Sequence, residues 1–253
     1  MRTVAIALNT FKESIRDKVL YGLVVFGAIF IGASRILKPL TIGEELKITK
    51  DIGLASISFF GLLIAVFVGT RLVYQEMEKK TIYTIIPKPV ERWQFLLGKY
   101  IGLVLVIATV VVIMTLWVFI VLFVTTGRFD SNLLLAISYI FLELMVVTAI
   151  ALFFSTFTTY IASGIFTFML YFVGHLTRDI LVFAEKTSSK FIMIFSHIIY
   201  FFLPNLSNFN IKGEVVHNVP IDRSFLFFSF SYGLIYIIFL LLVSIIIFQQ
   251  RDF

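Results

Sequence analysis

With 253 residues, 60% of them hydrophobic and only 14% charged, the chain is far more apolar than a soluble globular domain, where about a quarter of residues carry charge. Its composition, with a mean hydropathy of +1.02, is that of an integral membrane protein. The 21 Lys and Arg against 15 Asp and Glu are scattered between apolar runs, which suits contact with anionic headgroups and excludes the basic patch of a nucleic-acid binder. There is no cysteine, so disulfides, thiolate catalysis and cysteine-ligated metal are excluded.

From the start, Met1 to Lys18 carries charge throughout and does not resemble a cleaved signal peptide. Within it, Val4, Leu8, Phe11 and Ile15 fall on one helical face and Asn9, Lys12, Glu13, Arg16 and Asp17 on another, which predicts an interfacial helix over 2–17 lying in the membrane plane. Crossing the hydrocarbon core takes roughly 20 apolar residues. On that measure six segments qualify: 19–36, 52–74, 100–126, 133–157, 161–183 and 225–248. The expected fold is therefore an all-α integral membrane protein of six transmembrane helices, read as a single domain over 1–253. Phe191 to Leu203, ended by Pro204, is too short to span and reads as re-entrant or interfacial within an outer segment, 184–224. Six crossings place both termini on one side. With that side cytoplasmic, 11 Lys and Arg lie inside and 10 outside, and their density before Leu20 and over Arg71 to Lys99 favours this orientation.

The loop between the second and third crossings, 75–99, is a long charge-bearing segment flanked on both sides by membrane-length apolar runs. Gln75, Glu76, Met77, Glu78, Lys79 and Lys80 extend the second helix beyond the membrane, and Thr81 is placed to cap a short helix carrying Ile82, Ile85 and Ile86 on one side. Pro87 and Pro89 stop it; Pro89 suits the first position of the next helix, with Glu91 in its first turn. Two readings stand: an ordinary solvated loop anchored by Tyr83, Trp93 and Tyr100, or a helix whose apolar side fits a groove on a partner.

The run Glu76, Glu78, Thr81, Pro89, Arg92, Gly98, Lys99 resembles the loop between the second and third crossings of ABC transporter permeases of the type-2 exporter family. Asn9 to Arg16, Ser155 to Ser163, Leu203 to Leu206 with Phe209, and the terminal Arg251, Asp252, Phe253 agree with it, most closely with the NosY-like branch. Lys80 departs from the pattern, which has glycine there. The resemblance implies a dimeric permease in the cell membrane, with two copies of a separate ABC ATPase as partners and an extracytoplasmic accessory protein as an optional one. On this reading Glu76, Glu78, Lys79, Thr81, Ile82, Ile85, Ile86, Pro87, Pro89 and Arg92 form the coupling element. ATP and magnesium belong to the partner, since Gly98–Lys99 lacks the upstream glycine and the following Ser or Thr of a P-loop. No cofactor or metal is expected in the chain itself.

Glu143 is the one charged residue near the middle of a predicted crossing, with Tyr139 one turn away as its expected neighbour. A charge there costs about 2.5–3.5 kcal/mol on insertion scales. It is either a group on a transport or proton path or a neutral acid bonding between helices. Gly61, Ala65 and Gly69 make a small-residue stripe suited to close helix packing, within the chain or across a dimer. His175, Arg178 and Asp179, with His197 and His217 further on, have no metal-ligand spacing and read as solvated interfacial residues. The chain lacks a His-Glu-x-x-His helix and a Gly-x-Ser-x-Gly elbow, which weakens the enzyme class. A membrane-anchored assembly or structural protein without transport activity is the alternative to a permease.

Overall fold

A computed structural model describes residues 2–34, 45–78, 91–127, 129–186, 193–194, 196–198, 200 and 203–250. Among them all regular structure is helical: α1 (Arg2–Ile15), α2 (Lys18–Ala33), α3 (Glu45–Glu78), α4 (Arg92–Thr126), α5 (Asn132–Ser155), α6 (Tyr160–Glu185), a 3₁₀ turn (Leu206–Phe209), α7 (Lys212–Val216) and α8 (Arg223–Gln250). Five of these, α3, α4, α5, α6 and α8, are long and apolar enough to cross a membrane. The sixth expected crossing corresponds to α2, whose 16 described helical residues extend about 24 Å. That is less than the roughly 30 Å of a hydrocarbon core.

The helices α3 and α4 start earlier than hydropathy suggests, because charged residues at their ends are helical too. For α3 this adds Glu45 to Asp51; for α4 it adds Arg92 to Lys99. The expected helix start at Pro89 is corrected: Glu91 has an extended backbone (φ −73°, ψ 146°) and is the N-cap, and α4 begins at Arg92. The carboxylate of Glu91 accepts a hydrogen bond from the Trp93 indole and does not cap the helix. At its far end α4 stops at Gly127, which takes the left-handed conformation at φ 65° that glycine adopts without steric cost.

The central post is α5, with Glu143 its one charged residue and most of its length buried, as expected of a helix enclosed by others. It is surrounded by α3, α4, α6, α7 and α8. Lipid tails are as apolar as leucine, so these helices associate through close packing and interhelical hydrogen bonds rather than through exclusion from water. The Gly61, Ala65, Gly69 stripe of α3 serves this purpose inside the chain: a Cβ at Gly61 would come within 2.4 Å of Leu144, and one at Gly69 would lie 3.6 Å from the Ala151 Cβ, both on α5.

α1 packs chiefly on the start of α4, with Ala7, Thr10 and Ser14 buried in the contact while Val4 and Leu8 remain exposed. The helix thus has three faces: the contact row lies about a quarter turn from the apolar stripe, and the polar row lies beyond. Gly98 and Gly102 make the contact possible. A Cβ at Gly102 would sit 2.6 Å from the Thr10 Cβ and 2.7 Å from the Ala7 carbonyl; one at Gly98 would meet Ile6 at 2.8 Å. Gly102→Val is therefore expected to displace α1, costing about 1–3 kcal/mol. The measurement is the thermal midpoint in detergent, with faster proteolysis near Arg16 as its structural counterpart; an unchanged midpoint would show that α1 docks some other way.

Candidate functional site

Two aspartates, one the N-cap of α2 and the other just before the N-cap of α5, hold α3 near its two ends. Asp17 precedes α2; its Oδ1 accepts the Val19 N–H at 2.9 Å, and its Oδ2 takes Arg71 Nη1 at 3.1 Å. Asp130 precedes α5; its Oδ1 accepts the Asn132 N–H at 3.0 Å, and its Oδ2 pairs with the Lys50 ammonium. Lys50 and Arg71 lie 21 positions apart. At 1.5 Å per residue that is about 31 Å, the thickness of the hydrocarbon core.

The end of the bundle at Arg71, here called basal, also holds the start of α4. Arg92 Nη1 donates to the carbonyls of Phe248 (3.0 Å) and Gln249 (2.9 Å), two of the carbonyls that the last turn of α8 leaves without an intrahelical donor. Below this, Phe95 stacks on Phe248 with ring centroids 6.0 Å apart, and the buried Lys99 ammonium lies 5.8 Å from the centre of the Phe95 ring. Of the expected coupling residues, Arg92 is therefore a clamp between α4 and α8. Glu76 and Glu78 lie on the last turns of α3, which runs as a helix past Arg71. Lys79, Thr81, Ile82, Ile85, Ile86, Pro87 and Pro89 lie outside the described residues.

At mid-height of the bundle Glu143 is fully buried (0% exposed) on α5. The expected neighbour, Tyr139, does not reach it: the Tyr139 hydroxyl donates to the Leu226 carbonyl at 2.6 Å, tying α5 to α8. The groups that do surround it come from elsewhere. His175 of α6 places Nε2 3.3 Å from Glu143 Oε1, so it is not a solvated interfacial residue; its side chain is 22% exposed. Tyr171 of α6 and Lys212 of α7 are also close enough to act on the carboxyl electrostatically, and Ser58 of α3 interacts with Tyr171. These contacts are proximity rather than saturation, for neither carboxyl oxygen has an aligned hydrogen bond. Burial lowers the readiness of the Lys212 ammonium to hold its proton, and the Glu143 charge works in the opposite direction.

Lys212 reaches this depth because residues 204–216 fold back into the bundle. Leu206 and Phe209 are fully buried, the first against Gly174 of α6 and the second against Gly233 of α8. A Cβ at Gly174 would come within 2.7 Å of the Pro204 carbonyl. The Asn205 N–H donates to the Tyr232 hydroxyl at 2.9 Å. The inserted part of the outer segment is thus the polar half after Pro204. Within 191–203 the described residues Met193, Ile194 and Ile198 are exposed. Among the described residues no three His, Asp or Glu side chains gather as a metal site.

The family model for ABC-2 family transporter proteins matches residues 4–253. The chain belongs to that family. No curated protein matches it. This ABC-2 permease is a multi-pass membrane transport component, not itself catalytic, of a family that generally works with an ABC ATPase subunit. The hydropathy pattern singles out Glu143 but neither its partners nor the two aspartate pins. Asp17 alone had a local signal, as an aspartate in N-cap position before an apolar helix.

The Asp130 carboxyl is raised by burial, but hydrogen bonds from Lys50 and Asn132 together with the Lys50 charge bring it below its ordinary value. A carboxyl lowered in the folded state adds stability above its unfolded value of about 3.9, and that stability is lost as pH falls further. Asp130→Asn is expected to destabilise this ABC-2 permease by about 2 kcal/mol at neutral pH, since it strands the buried Lys50. Thermal midpoints measured from neutral pH down to about 3 should fall less steeply in the variant than in the wild type; parallel curves would remove Asp130 from the acid response.

Proposed function

We propose that the chain is the transmembrane permease subunit of an ATP-driven exporter of the NosY-like branch, coupling hydrolysis by two separate ATPase subunits to substrate movement. The match over 4–253 carries the reading, and the basal geometry supports it. α3 leaves the bundle as a helix and α4 returns to it through a clamp. Between them Arg71 ties α3 to Asp17 at the α1–α2 junction, and Arg92 ties α4 to the end of α8. A displacement of the segment from Glu76 to Arg92 is therefore handed to α1, α2 and α8 as well as to its own two helices. This is what a coupling element between an ATPase cleft and a permease must do.

In this proposal α2 is the sixth crossing. Its 16 residues are apolar apart from the leading Lys18, and a short helix spans by local thinning of the bilayer and by snorkelling of that lysine. The basal end is then cytoplasmic, as are both termini, and the permease functions as a homodimer in the cell membrane.

Co-expression with candidate ABC ATPase subunits, followed by ATPase assays in proteoliposomes, tests the assignment. Thr81→Pro and Glu78→Lys are expected to lower permease-stimulated ATP hydrolysis by about tenfold or more while leaving membrane insertion intact. Unaltered stimulation in both variants would sink the coupling role of this loop.

A further inference from the structure

Glu143 is a carboxyl group at the centre of the most enclosed helix, with neither oxygen in an aligned hydrogen bond. An incompletely satisfied buried charge is less stable than an apolar core in its place. What holds it is drawn from three elements, and the groups facing it differ in kind. α6 contributes His175, 3.3 Å away, and Tyr171. From α7 comes Lys212, the one side chain among these neighbours that is always cationic when exposed to water. On α3, Ser58 is engaged with Tyr171. The titratable groups on the remaining neighbours are occupied elsewhere: Tyr100 of α4 donates to the Met145 carbonyl at 3.3 Å, and Tyr232 of α8 accepts from Asn205. The orientation of His175 narrows the options further. Its Nδ1 lies 3.2 Å from the Tyr171 carbonyl, which can only accept, so Nδ1 carries the hydrogen and Nε2 faces Glu143 as an acceptor or, when the ring is charged, a donor.

Lys212 sits on the inserted segment and not on a membrane-crossing helix. Beside α7 lies a cleft of about 320 Å³, lined by Asn132, Leu135, Glu214, Val215, Asn218 and Arg223 among others. Lys212 thus shares its short helix with Glu214, which lines this cleft, while its ammonium acts on the buried carboxyl.

We propose that Glu143 is a proton-binding site that decides whether residues 204–216 stay seated in the bundle. With Glu143 ionised, the carboxylate offsets the burial of the Lys212 ammonium and holds α7 in place. When a proton from the medium binds the carboxylate, the acid becomes neutral and Lys212 is left charged without its counter-ion. The segment then shifts toward the cleft and exposes the side chains that were buried against α5, α6 and α8. His175 is a positioning residue here: it orients the carboxyl and tunes the protonation, but does not hold the segment. The proposal does not depend on the ATPase reading, because it is read from the permease alone.

The absence of native cysteine makes the test direct. A single cysteine replaces Val216, which is fully buried on α7, and another, as reference, replaces the exposed Val219. In nanodiscs, where both faces meet the medium, maleimide labelling of Val216→Cys is divided by that of Val219→Cys to cancel the pH dependence of the thiol itself. The ratio is expected to rise about tenfold between slightly alkaline and mildly acidic pH as the segment opens. Adding Glu143→Gln should give a high ratio at every pH, and Lys212→Met should flatten the response. His175→Asn should shift the midpoint but keep the transition. A flat wild-type ratio would overturn the proposal whatever the variants do. So would a pH response that survives Glu143→Gln, or one that vanishes with His175→Asn alone.

Discussion

The bilayer allows charge at two levels about 30 Å apart and strongly disfavours it between them. α3 records that constraint. Lys50 and Arg71 stand at its two boundaries, and each is met by an aspartate whose other oxygen has already been used to begin a neighbouring helix. One side chain thus fixes two things together: where α2 or α5 starts, and how deep α3 sits. The remaining helices take their height from these three. α4 is set against α3 and closes on α8 through Arg92, while α6 and α8 pack around α5.

Glu143 is the exception to that rule. Compensating it requires polar groups at mid-height, and the two flanking elements provide them differently. α6 brings His175 and Tyr171 as part of an ordinary crossing. Lys212 arrives only because the chain after Pro204 turns inward, through space left by glycines at 174 and 233. A cation delivered by a loop can be withdrawn at lower cost than one built into a spanning helix. The loop has few elements to rearrange, whereas a crossing would have to carry its whole packed surface with it.

The crossings were legible in the sequence because hydropathy over a helix-length window is a direct reading of the solvent around it. The charged ends of α3 and α4 were less so, since hydropathy drops at the headgroups while the backbone continues as a helix to Glu78 in one case and from Arg92 in the other. The apolar stripe of α1 is present, yet Val4 and Leu8 stay exposed and Phe11 is only partly packed on the core, and the buried face is that of the small residues Ala7, Thr10 and Ser14. Pattern alone gives no sign of this, as the partner surface at Gly98 and Gly102 lies far along the chain. Likewise Glu143 stood out by position, but its partners did not. Tyr139 is on the same helix yet bonds to Leu226, while His175 and Lys212 come from about 30 and 70 residues downstream and are joined to it only by the tertiary fold. The charged loop itself, from Lys79 to Val90, falls outside the described residues, and its reading still rests on sequence.

The seat of α1 has a consequence for the order in which the protein assembles. Gly102 follows Ala7 by 95 residues, so at a synthesis rate of about 5–20 residues per second the helix exists for about 5 to 19 seconds before its groove does. During that interval Ala7, Thr10 and Ser14 have nothing to contact. Val4, Leu8, Phe11 and Ile15 already have the membrane surface, and Val4 and Leu8 keep it afterwards, which is why they are still uncovered in the finished bundle. α1 is thus made well before it can be locked, and its docking marks the moment when the basal end of α4 is in place.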